Sequence, residues 1–136
     1  MLSAHKRRLQ SGQAAVEGAL VSLVFLVLIF GLMDFARMVW SYTMISHGAR
    51  EATRYAMVHG SSSGHMASVA QIQNMVTSTS PGIDAANLTA TVTFAPDQSP
   101  GSTARVVVIY NFYPIAPYIP IGPLQLTSTS EMVICQ

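Results

Sequence analysis

The strongest pattern along the chain is an apolar run near its beginning. The residues from Ala14 to Met33 carry one formal charge, on Glu17. As a helix, this run is about 30 Å long, which is about the thickness of the hydrocarbon core of a bilayer. The pattern therefore predicts that residues 13–33 form a membrane-spanning helix.

The helical pattern continues beyond the run on a new face, which predicts one helix from about Gln13 to about Met57. Glycine and serine in residues 59–64 should end it. Residues 34–58 are then its periplasmic half, amphipathic and packed against a small head. Apolar and small residues three or four apart form the packing stripe: Phe35, Met38, Tyr42, Ile45, Ala49, Ala52 and Ala56.

Residues 59–136 predict the small α+β head. A short amphipathic helix is expected from about Met66 until Pro81 stops it. Alternating and β-branched residues then predict strands over 88–95, 103–113 and the segment from Leu124. The fold class is thus α+β: a long N-terminal helix, a short helix and an antiparallel sheet of about three strands.

Between the second and third predicted strands, four prolines recur at every third position: Pro114, Pro117, Pro120 and Pro123. Because polyproline II has three residues per turn, the apolar residues between them would share one edge. Either that edge docks a partner, or the segment folds back over the sheet and is buried.

The charges give an orientation for the span. Lys6, Arg7 and Arg8 precede it, so the N-terminus should be cytoplasmic and the residues from about 35 onward should lie outside. The formal net charge is only +1, so nothing favours binding to nucleic acid.

Three interpretations of the first segment remain. A secretory signal peptide would need small residues before its cut, and Asp34 and Ala36 make a poor site. A permanent single-span anchor is the second. In the third, the chain is cut before the span, between Gly12 and Gln13, which would make Glu17 the fifth residue of the mature protein.

The third interpretation is the one that known families support. A basic leader over residues 1–12, a glycine at the cut and a glutamate at mature position five resemble the class III signal of type IV prepilins, which prepilin peptidase cuts. A glycine also lets an extended backbone approach the catalytic groups of a protease closely. Many pilins have Phe or Met where this chain has Gln13, and cyclisation of that glutamine would remove its amino charge.

Glu17 requires a partner or a polar environment, since an unpaired carboxylate in a bilayer costs about 2–3 kcal/mol. Resemblance to pilins implies that the partner is the N-terminal amine of a neighbouring subunit. Alternatively, Glu17 lies in the headgroup zone or stays protonated. Ala14, Gly18 and Ser22, four residues apart, would let another helix approach closely in the membrane.

A second motif makes the resemblance specific. It consists of Ala49, Arg50, Glu51, Ala52, Arg54, Tyr55 and Ala56. Together with the start at Gly12, it resembles the TadE-like family of pseudopilins.

That resemblance implies a minor pilin of the bacterial tight adherence (Tad, type IVc) pilus, needed for pilus assembly or adhesion. The implied partners are other pilin or pseudopilin subunits, prepilin peptidase, the inner-membrane assembly platform and the lipid bilayer. The chain would start as a single-pass inner-membrane protein and end in the extracellular pilus. The open alternative is a single-span envelope protein whose periplasmic head binds a partner.

No catalytic, metal or cofactor site is expected. The histidines are scattered, and the serines of residues 61–63 lack the lysine of a phosphate-binding loop. Cys135 is the single cysteine, so it is either a free thiol or an intermolecular partner. A secreted hydrolase would need a catalytic set that the sequence does not show.

Overall fold

The computed structural model describes residues 2–115 and 122–135, with side chains from Gly12 onward. It has two helices, a short 3-10 turn and three strands, which confirms the predicted α+β fold class. In chain order they are α1 (Leu2–Val58), α2 (Val69–Thr79), the 3-10 turn (Ala85–Asn87), β1 (Leu88–Ala95), β2 (Thr103–Phe112) and β3 (Leu124–Val133).

Helix α1 begins earlier than predicted and ends where expected. The leader contains no proline, and no glycine before Gly12, so its good helix formers continue the helix back to Leu2. The helix ends at Val58, one residue beyond the predicted end, and a bend follows at Gly60. The predicted leader and the predicted span therefore lie on one uninterrupted helix.

Residues 12–58 of α1 are the one candidate membrane span in the described part of the chain, judged by length and composition. The side chains from Gly12 to Met33 are exposed, and the first partly covered residue is Asp34. This distribution fits a single-pass membrane protein whose apolar helix projects from a folded head.

The sheet is an antiparallel meander in the order β1, β2, β3. Thr103 at the start of β2 pairs with Ala95 and with Val133, so one end of the sheet holds the start of β2 and the end of β3. Alternate residues of β2 point into the core, as strand geometry requires. The buried core residues from the helices and strands include Ile45, Ala49, Ala52, Ala56, Ile72, Val76, Ala104, Val106 and Val108.

The stripe on α1 differs in part from the prediction. Phe35 and Tyr42 are 58% and 50% exposed. Phe35 lies before Ser41, the first buried residue of the described part of α1, and Tyr42 is about 100° around the helix axis from Ser41. Ser41 and Thr53 are buried instead. The Thr53 hydroxyl donates a hydrogen bond to the Ala49 carbonyl at 2.7 Å, so a polar residue is accommodated in the core.

Helix α2 begins at Val69, three residues later than predicted, because Ser68 caps it. The Ser68 side chain accepts a hydrogen bond from the Gln71 amide, and the Gln71 side chain accepts one from the Ser68 amide. This reciprocal pair is a capping box. Ile72 and Val76 of α2 are buried in the core.

The chain is attached to α1 at both ends of the head. The Cys135 amide donates to the Met57 carbonyl at 3.1 Å, near the end of α1. At the other end, the Ile115 amide donates to the Asp34 carboxylate at 3.0 Å. Ile115 belongs to the proline-rich segment from Pro114 to Pro123, and most of that segment, residues 116–121, lies outside the described residues.

Candidate assembly surface on helix α1

The predicted processing residues lie within α1 and are exposed. A Cβ atom added to Gly12 would have nothing within 4 Å. Proteases bind extended backbone, so the helix must open at Gly12 and Gln13 before any cut. Glycine assists this opening, since it destabilises a helix by about 1 kcal/mol relative to alanine.

Glu17 lies one helical turn after Gln13, about 6 Å along the axis. Its side chain is exposed among apolar neighbours, with Val16 63% and Leu20 59% exposed. Among the side chains that the structure describes, Glu17 forms no ion pair. A partner for this carboxylate would therefore come from beyond these described side chains, for example from another molecule or from the membrane interface.

The small residues Ala14, Gly18 and Ser22 are exposed along one row of the same helix. A Cβ atom on Gly18 would meet nothing within 4 Å, so the backbone is accessible there. A shallow apolar surface on the same helix is lined by Leu20, Val21, Val24, Phe25 and Leu28. The sequence-predicted packing row is thus available to a second helix.

The second motif divides into a buried half and an exposed half. Ala49, Ala52 and Ala56 are buried against the head, where their small side chains allow close packing between the helix and the sheet. Arg54 and Glu51 instead form an exposed ion pair at 3.1 Å. The alanines of this motif therefore serve the fold, and its charged residues lie on the surface.

The end of α1 is held by a ring contact. Tyr55 stacks on His59 with ring centroids 4.1 Å apart, and the His59 ring nitrogen Nδ1 is 3.0 Å from the Tyr55 carbonyl oxygen. Tyr55 also packs against the buried core. Tyr55 thus links the helix end to the core.

Sequence reasoning missed a junction at the first covered turn of α1. The Asp34 carboxylate accepts a hydrogen bond from Arg37 at 3.0 Å and another from the Ile115 amide at 3.0 Å. The Arg37 guanidinium lies 5.3 Å from the centroid of the Phe112 ring, a cation–π contact. The spacing of Asp34 and Arg37 indicates their pairing, but no local pattern reveals a contact across 81 residues of chain.

A polar groove of about 540 Å³ runs between α1 and β3. Its lining includes one cationic residue, Arg50. Its lining also contains Tyr42, Thr43, Met44, Ser46, His47, Thr127, Ser128 and Thr129. No local sequence pattern indicates this groove, since its two walls are about 80 residues apart along the chain.

A family model described as TadE-like protein matches residues 12–54. Residues 12–54 are similar to the TadE-like family. This confirms the resemblance, and the TadE-like segment includes Gly12, Glu17 and the first part of the second motif up to Arg54. The search of curated proteins and the search of solved structures found no match.

The TadE-like segment lies entirely on α1 and contains both the exposed small-residue row and the start of the head-facing stripe. The features of this segment are small and apolar side chains suited to packing against other helices and against the head. In the described ranges, no three His, Cys, Asp or Glu side chains are grouped so as to hold a metal ion.

Proposed function

We propose that this chain is a minor pilin or pseudopilin of a tight adherence pilus and that prepilin peptidase cuts it after Gly12. The TadE-like match supports an association with this pilus system, and the exposed apolar half of α1 supports a place in the envelope. The observation that carries the proposal is Glu17, an exposed carboxylate in an apolar helix, one turn after the predicted cut.

Cutting after Gly12 would place a new amine about 6 Å from Glu17 along the axis. The Glu17 carboxylate would then pair with the amine of a neighbouring subunit, which sets the stagger between the two helices. The row of Ala14, Gly18 and Ser22 would form the close contact. The role is assembly with other pilus subunits, after extraction from the inner membrane, and not catalysis.

The first test changes the cut. The full chain is expressed with prepilin peptidase, and the product is measured by intact mass. We expect a mature chain that begins at Gln13, and we expect Gly12→Phe to keep the leader because its side chain blocks close approach of the backbone. A wild-type product that retains the leader would contradict the processing step.

The second test separates processing from assembly. Glu17→Ala should still be cut, since the glycine is unchanged, but should be lost from sheared pilus fractions. Glu131→Ala is the matched control because it removes an exposed carboxylate of the head. Normal incorporation of Glu17→Ala would remove the proposed role of Glu17.

The polar groove between α1 and β3 favours one alternative, a permanently anchored envelope protein whose head binds a partner. The same mass measurement distinguishes the two, since a permanent anchor retains residues 1–12. In that case Arg50 and His47, which line the groove, become the first positions to mutate in a search for the partner.

A further inference from the structure

A hydrogen bond to the first covered turn of α1 determines where the loop at Ile115 lies relative to the end of the predicted membrane span. Asp34 directly follows the last residue of the apolar run, Met33. Its carboxylate accepts a hydrogen bond from the Ile115 amide at 3.0 Å. Because a hydrogen bond holds the two groups in direct contact, Ile115 lies level with the outer end of the predicted span.

The side chains at this level are apolar and exposed. Tyr113 is 54% exposed, Ile115 is 65% exposed and Phe35, next to Asp34, is 58% exposed. We call these three side chains the junction surface. It lies beside the end of the exposed apolar run of α1, since Met33, the residue before Asp34, is itself 56% exposed.

The apolar and aromatic side chains of the junction surface suit the interface between membrane and water. Tyrosine and tryptophan are enriched where the hydrocarbon core meets the headgroups, the position that Tyr113 would occupy, and a cation there can reach lipid phosphate. Arg37 supplies a cation, with its side chain 45% exposed beside Asp34. An apolar surface in water at this position would be unfavourable, whereas the lipid that surrounds the span would cover it.

We propose that the junction surface inserts into the outer lipid interface and seats the head on the membrane. α1 is then one attachment to the bilayer and the loop around Ile115 is a second. The inference rests on the membrane span alone. It does not require that the chain is cut after Gly12 or joins a pilus.

The test measures the depth of spin labels in the full-length chain. Cys135→Ser provides a background without cysteine, since Cys135 is the single one. Ile115→Cys keeps the backbone amide that binds Asp34. The labelled protein is placed in vesicles of phosphatidylethanolamine and phosphatidylglycerol, and collisions with oxygen, which concentrates in lipid, are compared with collisions with a water-soluble nickel chelate.

Two further labels serve as references. Leu28→Cys lies in the outer half of the predicted span, five residues before Met33, and is 66% exposed. Val133→Cys is 55% exposed, comparable to Ile115, but lies two residues before Cys135, whose amide binds the Met57 carbonyl. Met57 is about 35 Å further along α1 than Asp34, at 1.5 Å per residue, so Val133→Cys reports on a comparably exposed position far from the lipid.

We expect the oxygen-to-nickel collision ratio at Ile115→Cys to be several-fold higher than at Val133→Cys and below that at Leu28→Cys. Thermal unfolding equal to that of the Cys135→Ser parent shows that each labelled head is folded. A ratio at Ile115→Cys equal to that at Val133→Cys overturns the proposal while the span stands. Low collision rates with both reagents also overturn it, because protein then covers the loop. A water-exposed label at Leu28→Cys overturns the span itself.

Discussion

Asp97 orders the loop between β1 and β2. Its carboxylate accepts hydrogen bonds from the Ser102 hydroxyl at 2.6 Å, from the Ser99 amide at 2.9 Å and from the Ser99 hydroxyl. Ser102 is 3% exposed, so the carboxylate, together with the Ser99 hydroxyl 3.2 Å away, satisfies a buried hydroxyl. These hydrogen bonds, above all the one from Ser102, lower the pKa of Asp97 from 3.8 to about 2.

The lowered pKa predicts a loss of stability in acid. The stabilisation by the Asp97 carboxylate is fully present above pH 3.8 and is lost as the pH falls toward about 2, because the unfolded chain then binds a proton more readily than the folded one. Unfolding midpoints in denaturant should therefore be higher for wild type than for Asp97→Asn at neutral pH, with a difference that shrinks below pH 3.8.

Ser102→Ala is the control for this measurement, since it removes the hydroxyl that contributes most to the shift. It should reduce the pH dependence that distinguishes wild type from Asp97→Asn. A difference between wild type and Asp97→Asn that stays constant down to pH 2 would contradict the account of this loop.

Helices α1 and α2 approach each other closely at Gly48. A Cβ atom there would lie 2.6 Å from the Ser80 hydroxyl oxygen and 3.3 Å from the Val76 carbonyl oxygen. Ser80 follows the end of α2 and is 2% exposed, so it has little room to move. The glycine thus gives up helix propensity in exchange for close packing.

Gly48→Ala should therefore destabilise the head by about 1 kcal/mol, because overpacking costs about 1–3 kcal/mol and the gain in helix propensity returns about 1 kcal/mol. Thermal unfolding in detergent measures the effect. Gly31→Ala is the matched control on the same helix, since a Cβ there meets nothing within 4 Å. The double variant Gly48→Ala with Ser80→Ala should recover part of the loss, and a simple sum of the two single effects would contradict the proposed clash.

The elements themselves were largely predictable from the sequence. β1 has the predicted bounds, β2 ends one residue before its predicted end and β3 begins at the predicted Leu124. β1 also shows the alternating burial that its pattern implies. These features depend on local periodicity. The packing of these elements against one another could not be predicted from local periodicity. For example, the Gln73 side chain donates a hydrogen bond to the Ala90 carbonyl at 2.7 Å, and no local pattern relates these two segments.

The candidate assembly residues could be recognised from local sequence patterns, but the contacts that the folded chain makes around them could not. Gly12, Glu17 and the motif at Ala49 are recognisable because each depends on residue type at fixed spacing along one helix. The burial of Ser41 and Thr53 was missed, since small polar residues enter a core only where the backbone supplies a hydrogen bond or the packing leaves little space. The contact between Asp34 and Ile115 depends on the tertiary fold.

The whole molecule is organised by one helix that extends from the exposed span into the head. The head packs on α1 from about Ser41 to Ala56, and Glu17 lies on the same helix with no break between them. An α-helix turns about 100° per residue, so the direction of Glu17 around the axis is fixed relative to the head.

An inserted residue in the span therefore tests whether this direction matters. One alanine added between Leu28 and Ile29 should leave head stability and the cut after Gly12 unchanged, since both lie outside the insertion. Incorporation into pili, measured in sheared fractions, should be lost, because Glu17 is turned by about 100° relative to the head.

Deleting Leu23 from the insertion variant restores the original direction and should recover incorporation. Leu28→Ala controls for the loss of one apolar side chain, because it leaves the direction unchanged. Full incorporation of the insertion variant without the deletion would show that the two ends of α1 act independently.

Because α1 is one continuous helix, a tilt of its membrane half also moves the head. With no hinge between its two halves, a small tilt imposed on the span by its neighbours swings the far end of the head, about 35 Å beyond Asp34 at 1.5 Å per residue, through a proportionally larger arc. Small differences in tilt between packed helices in the lipid would therefore produce larger differences in the positions of their heads.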